Sequence, residues 1–268
     1  MLLQMRSALG DLYKSGAQKA RVVSEDWAEA NLYCAACPSD SLRRLPHNNR
    51  SIDFECPDCG SGFQLKSSSR KFGGCILDGD CETMRHTILS GRTPSLLTLH
   101  YGLANWSVQN LSLIPSFAFT LSCIQRRNPL SPTARRAPYT GCNILLRNIP
   151  ADARIPMVAD GIAELPDKVR KQFDTLRPIS RLNAAQRGWT LDVLRAVRSL
   201  NKQSFTLGDV LSHASELTKL HPENRHVEAK IRQQLQRLRN LGILEFLDNR
   251  GTYKLRTVPA DSPSRLQR

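Results

Sequence analysis

Four cysteines stand in two pairs, Cys34-Ala-Ala-Cys37 and Cys56-Pro-Asp-Cys59, with 18 residues between the pairs. Sulfurs at positions i and i+3 reach one metal from a tight turn, and two such turns complete a tetrahedron. The set fills all four positions of a zinc ion and leaves none for water, so the zinc expected here is structural. His47 lies between the pairs and is not needed as a ligand. The second pair lies inside the interval between Asp53 and Gln64-Leu-Lys66, in which ten residues separate the Asp from the Gln. An acidic residue followed by Glu, Asp or Gln-x-Lys is the metal-and-lysine core of many nucleases.

The chemistry such a core performs is phosphodiester hydrolysis. A hydroxide must be placed in line with phosphorus while charge growing on the oxygens is neutralised. A hard divalent cation held by oxygen ligands does both. Asp53 offers a carboxylate, Gln64 an amide oxygen and Leu65 a main-chain carbonyl, which makes these three the candidate magnesium ligands. Side chains alternate along a strand, so Gln64 and Lys66 share one face. Lys66 is then placed to stabilise the attacking water or the transition-state charge. The candidate catalytic set is Asp53, Gln64 and Lys66. Taken alone, this spacing also arises by chance on an ordinary strand with a solvated lysine; its neighbours in the sequence give it weight.

The formal charge is +14 over 268 residues. A surplus of that size calls for a polyanionic partner, above all nucleic acid. A basic membrane-surface protein is the alternative, but no apolar run approaches 18 residues and the opening residues lack a secretory h-region, so neither insertion nor export is expected. Four of the eight cysteines sit in metal spacing, which fits a reducing cytoplasm better than a disulfide framework. Cys75, Cys81, Cys123 and Cys142 have no motif spacing and read as reduced, small core residues.

The elements that must position these residues read as a mixed α/β core. A helix starts at Ser24, with Ser24 as cap and acids in its first turn, and ends before the first CxxC. Residues 52–55 and 62–66 read as two strands joined by a zinc knuckle. A helix is expected over 78–89, and strands over 96–101 and 106–114 with Gly102 near the turn. Residues 126–141 hold Pro129, Pro132 and Pro138 together with four arginines, a long basic loop of a kind that is usually functional or disordered, with a solvated connector as the plainer reading. Arg135, Arg136 and Tyr139 in it are candidate DNA contacts.

From about residue 181 the pattern becomes helical: 189–200, then 206–220 with Thr206 as cap, then 223–241, followed by a hairpin over 243–247 and 252–255 around a turn at 248–251. Three helices and a hairpin are the winged-helix order. Residues 181–258 carry 14 Lys or Arg against 7 Asp or Glu, half of the chain's surplus charge in under a third of its length. On the third helix Val227, Ile231, Leu235 and Leu238 form one apolar stripe. Lys230, Arg232, Gln233, Gln236 and Arg237 lie off it, and amides and guanidinium groups suit base edges. Trp189 reads as a core residue. The domains expected are 1–180, catalytic with a zinc ribbon at 34–59, 181–256, winged helix, and a flexible tail at 257–268.

The sequence resembles the DpnI-type restriction endonucleases, which cut GATC sites carrying N6-methyladenine. The likeness is carried by Ser15-Gly-Ala-Gln-Lys-Ala-Arg21 running into Ser24-Glu-Asp-Trp27, both CxxC pairs, Asp53-Phe and Gln64-Leu-Lys66-Ser67. It continues through Pro132-Thr-Ala-Arg-Arg-Ala137, Gly141-Cys-Asn-Ile144, Arg187-Gly-Trp-Thr190 and Lys230-Ile-Arg-Gln-Gln-Leu235. The blocks occur in family order from about residue 11 to 255. The resemblance implies a PD-(D/E)xK nuclease core with an embedded zinc ribbon and a C-terminal winged helix. It implies double-stranded, adenine-methylated DNA as partner, cleaved with Mg²⁺ by Asp53, Gln64 and Lys66 in a monomer. Two positions depart from the family pattern. Gln64 stands where the family has Glu, which weakens the negative charge offered to a metal, and Tyr139 stands where it has a larger aromatic. The competing reading is a DNA-binding regulator, with the same ribbon and winged helix, that is catalytically inactive or of altered specificity. Lys66 argues against it, because binding alone does not need a lysine on the same strand face as Gln64.

Overall fold

The computed structural model describes residues 1–46, 52–137, 139–247 and 251–256. His47, Pro138, most of the wing turn and the tail from 257 on lie outside the described residues. The chain opens with helix α1 (Gly16–Asn31), followed by strands β1 (Arg43–Arg44), β2 (Phe54–Glu55), β3 (Gly62–Ser68) and β4 (Cys75–Asp80). Helix α2 (Cys81–Leu89) precedes β5 (Ser95–Gly102), β6 (Ser107–Ile114), β7 (Ile124–Arg126), β8 (Gly141–Leu145), β9 (Ile155–Ala159) and β10 (Ile162–Ala163). Helix α3 (Pro166–Leu176) then leads into the C-terminal segment.

Seven of these strands form one sheet in the order β1-β2-β3-β5-β6-β9-β10. Only the β3–β5 pair is parallel, with Lys66 opposite Thr98. A parallel pair needs a crossover, and here β4 and α2 provide it. One face of the sheet packs on α1, whose Val23, Trp27 and Ala28 are buried at helical spacing. Strand β3 turns Phe63 into the core, and the hydroxyl of its Ser67 lies 3.0 Å from that of Ser24 on α1. By alternation Gln64 and Lys66 face the other side. There a second, three-stranded sheet in the order β4-β8-β7 is laid over them.

Two local expectations are corrected. The first helix begins at Gly16, two turns before Ser24, because residues 17–21 are good helix formers that extend the apolar stripe backward. Ser24 is a buried mid-helix residue whose hydroxyl donates to the carbonyl of Arg21. The helix expected from residue 78 begins at Cys81, and Asp78 and Gly79 belong to β4. Two aspartates and a glycine are poor strand formers. Pairing with β8, some 60 residues away, overrides that preference. Asp80 is the cap of α2, its Oδ1 accepting from the Thr83 amide at 2.8 Å.

The C-terminal segment comprises α4 (Ala184–Ser199), β11 (Ser204–Thr206), α5 (Leu207–Leu211), α6 (Ala214–Leu220), α7 (Val227–Asn240), β12 (Leu244–Phe246) and β13 (Thr252–Leu255). Thr206 caps α5 in a reciprocal capping box with Asp209. The single helix expected over 206–220 is broken after Leu211, where the Ser212 hydroxyl donates to the Asp209 carbonyl and the His213 amide to that of Val210. The wing has a third strand, β11, which pairs antiparallel with β13 and sets Phe205 against Tyr253. On α7 the stripe Val227, Ile231, Leu235 and Leu238 is buried, as its spacing requires. Trp189 is buried too, stacked on His221 with ring centroids 3.8 Å apart.

Among the described residues, polar side-chain links tie this segment to the rest of the chain. Buried Asp192 on α4 accepts from the Ser122 hydroxyl and meets His221 Nε2, both at 2.8 Å. Arg187 donates to the carbonyl of Ile88 at the end of α2. Arg198 pairs with Asp152.

Candidate active site and metal centre

The antiparallel β2–β3 hairpin carries both sites. At its turn Cys56 and Cys59 meet Cys34 and Cys37, which follow α1, and the four sulfurs all lie within 4.8 Å of one another. Cys34 and Cys59 are 3.7 Å apart, and Cys37 and Cys56 3.5 Å. A tetrahedral zinc with bonds near 2.3 Å needs sulfurs about 3.8 Å apart, so this set could hold one. Burial pushes the Cys34 and Cys37 thiols up, whereas at Cys56 the amides of Cys59 and Asp58, aimed at its sulfur, outweigh burial and bring it down to about 7. A thiolate cradled by amides is the form a metal binds.

The first knuckle is clamped by α3. Arg170 donates to the carbonyls of Cys34, Pro38 and Ser39 and to Asp40, and its guanidinium lies 5.3 Å from the Tyr33 ring centroid. Arg177 donates to the carbonyl of Ala36 at 2.7 Å. These arginines bond carbonyls of the knuckle; that of Ser39 also accepts from the Cys34 amide. They lie more than 130 residues from the knuckle, and no local pattern singles them out.

On the flank of the same hairpin, Asp53 Oδ2 accepts from the Leu65 amide at 2.7 Å. The carboxylate therefore sits against the main chain between Gln64 and Lys66. Its own amide donates to the Phe63 carbonyl, which fixes the strand entry. Gln64 and Lys66 line a cavity of about 460 Å³ together with Asp78, Asp80, Thr83 and Phe119. Asp53, Gln64 and Leu65 supply oxygens alone, a donor set suited to a hard divalent cation, though with a single negative charge.

Sequence patterns alone do not single out Asp78. The Lys66 ammonium donates to Asp78 Oδ1 at 2.8 Å. Cys142 pairs with Asp78 across the β4–β8 ladder, and burial first and then the charge of Asp78 push its thiol up to about 12. The only local signal is the alternation of Ile76, Asp78 and Asp80, which becomes an inward-facing row once 75–80 is known to be a strand.

The candidate DNA contacts fall on two separate elements. Arg135 and Arg136 are exposed on the loop between β7 and β8, and Tyr139 is half-buried. That loop is folded by turns, with the Tyr139 amide donating to Arg136 and the Leu130 amide to Tyr139. It belongs to the small sheet that carries Asp78. Arg232, Gln233 and Gln236 are exposed on α7, and Lys230 and Arg237 are half-buried. Lys230 lies 6.0 Å from the Trp189 ring centroid. Arg237 donates to Gln234, a buried amide that also accepts from Thr190 and locks α7 to α4. Among the described residues no helix is long and apolar enough to cross a membrane.

Residues 1–182 match the Dam-replacing family, DpnI, and residues 185–255 match the Dam-replacing HTH domain.

Proposed function

The chain belongs to the DpnI, or Dam-replacing, family, and on that premise we propose that it is a methyl-directed restriction endonuclease. Its substrate in this reading is double-stranded DNA with GATC sites carrying N6-methyladenine. Residues 1–180 form a PD-(D/E)xK catalytic domain and 181–256 a winged helix that binds the duplex. The observation that supports the reading is that Gln64 and Lys66 line one cavity, with Asp53 bonded to the main-chain amide between them, on a hairpin whose turn brings two cysteines to two others.

Asp53, the Gln64 amide oxygen and the Leu65 carbonyl would hold Mg²⁺, which when bound supplies Lewis acidity toward a phosphate oxygen and the attacking water. Lys66 contributes a fixed positive charge and ammonium protons for the water or the phosphate oxygens, on the face that Gln64 shares. Cys34, Cys37, Cys56 and Cys59 would hold Zn²⁺ with every position filled by thiolate, so that metal is structural.

Recognition in this reading is shared. Arg232, Gln233 and Gln236 project from α7 as side chains that suit base edges in the major groove, where an adenine N6 substituent is displayed. Lys230 and Arg237 add charge to the same helix. Arg135 and Arg136 anchor the backbone near the cavity, and Tyr139 offers a flat apolar face to a methylated base edge.

Plasmid grown in adenine-methylating and in non-methylating hosts, digested with Mg²⁺, tests the proposal. Cutting of the methylated plasmid alone is the expected result. The absence of the negative charge at Gln64 favours a second reading, a DNA-binding regulator that does not cut. Methyl-selective binding without cutting by folded, zinc-loaded protein would establish that reading instead.

A further inference from the structure

We infer that Asp78 is the positioning residue for Lys66: it holds the ammonium in the cleft and directs its remaining protons toward the reacting phosphate. The inference rests on the nuclease reading for its consequence and on contact geometry for its premise. The Lys66–Asp78 pair is 2.8 Å long, with side chains 27% and 10% exposed. It is therefore sheltered from the solvent that makes most surface ion pairs negligible.

The other carboxylates nearby are committed elsewhere. Asp53 is held by the Leu65 amide, and Asp80 accepts from both the amide and the hydroxyl of Thr83. Gln64 carries no charge. Among the described residues, Asp78 is the one carboxylate hydrogen-bonded to Lys66.

Asp78 is rigidly mounted. It follows buried Ile76 in the inward row of β4, while Leu77 on the outward row is 63% exposed. Ile76 pairs in register with Ile144, also buried, and β4 bulges between Asp78 and Asp80. A bulge re-aims side chains and is common beside active sites. Lysine has a long flexible stem and three donor protons. Fixing one proton on Asp78 removes much of the stem's freedom and leaves two protons for water and a phosphate oxygen. Asp78 thus acts through Lys66, to which its Oδ1 is bonded; the competing role, a metal ligand through Oδ2, is the one that Mg²⁺ titration separates.

Full-length zinc-loaded protein carrying Asp78→Asn or Asp78→Glu provides the test, with thermal unfolding as the control for folding. In single-turnover cleavage, Asp78→Asn should lower the rate by about 100-fold, with DNA affinity and the Mg²⁺ half-saturation point changed by less than about twofold. Asp78→Glu should restore part of the loss. Independently of activity and without Mg²⁺, acylation of Lys66 by an amine-reactive ester, followed by mass spectrometry against exposed Lys71, should be faster in Asp78→Asn by about fivefold or more, because the lysine nitrogen, no longer held on a carboxylate, is freer to reach the ester as the neutral amine and expel its leaving group.

An unchanged cleavage rate or an unchanged Lys66 acylation rate would overturn the inference. So would a Mg²⁺ requirement raised by Asp78→Asn and cured by adding Gln64→Glu, which would make Asp78 a metal ligand. If wild-type protein does not cut at all, the nuclease reading fails. The acylation arm still decides whether Asp78 holds Lys66.

Discussion

The four-cysteine centre and the Lys66 cleft share one hairpin but are built in opposite ways. The centre draws its ligands from two tight knuckles, each complete within four residues, and the sulfurs converge to 3.5–3.7 Å across the pairs. The cleft is assembled from the flank of the hairpin, the inward row of β4 and the start of α2. Its shortest ion pair joins Lys66 to a strand that exists only because β8 pairs with it from some 60 residues away. A closed metal site can be written in local spacing because one ion imposes the geometry. A reactive site open to substrate needs its charges set by the packing of separate elements.

If that contrast holds, the largest effect comes from the metal centre. Cys56→Ser, or stripping zinc with a chelator, should unfold the N-terminal region, at a cost on the order of several kcal/mol. Zinc per chain and thermal unfolding measure this together. A stable, fully active protein without zinc would remove the centre from the folding argument.

Next in size is Lys66→Ala, which should reduce cleavage by about 10²- to 10³-fold while leaving specific DNA affinity within about threefold. Its charge acts on one phosphate during reaction, whereas affinity is spread over many basic contacts. Cleavage of methylated DNA at the wild-type rate would show that the cleft is not the reacting site.

Gln64→Glu should be milder. It returns a second negative oxygen to the candidate magnesium ligands, so activity should be kept or raised and the Mg²⁺ half-saturation point should fall by about a few-fold. Metal titration of cleavage reads it. A rise in the half-saturation point would place the cation away from residue 64.

The smallest effect tests a local feature with no metal. The Lys202 ammonium first, then the Thr206 amide and hydroxyl, hold Asp209 down at about 2. A carboxylate with a depressed folded value contributes stability above its unfolded value of 3.8 and loses it as pH falls through about 2. Acid titration of thermal unfolding should therefore show a small loss confined to that window, absent in Asp209→Asn. An equal acid response in both proteins would leave the capping box without measurable weight.

Features with local causes are legible in the amino-acid sequence. The CxxC knuckles, the alternation of Gln64 and Lys66, the cap at Thr206 and the stripe on α7 each follow from spacing within a few residues, where backbone geometry alone decides which side chains meet. Ser24 misleads as the start of α1 because it has the chemistry of a cap but is buried mid-helix against Ser67. Strand β4 is hidden because Asp78-Gly79-Asp80 has poor strand propensity. The amino-acid sequence by itself determined which four cysteines could share a metal ion, the basic charge and the helical character of the C-terminal segment. Only the tertiary structure placed Asp78 on Lys66, clamped the first knuckle with Arg170 and joined Ser122 to His221 through Asp192. Those contacts bridge between 12 and 136 residues, and pairings at such separations depend on how sheets and helices stack, which no short window of sequence encodes.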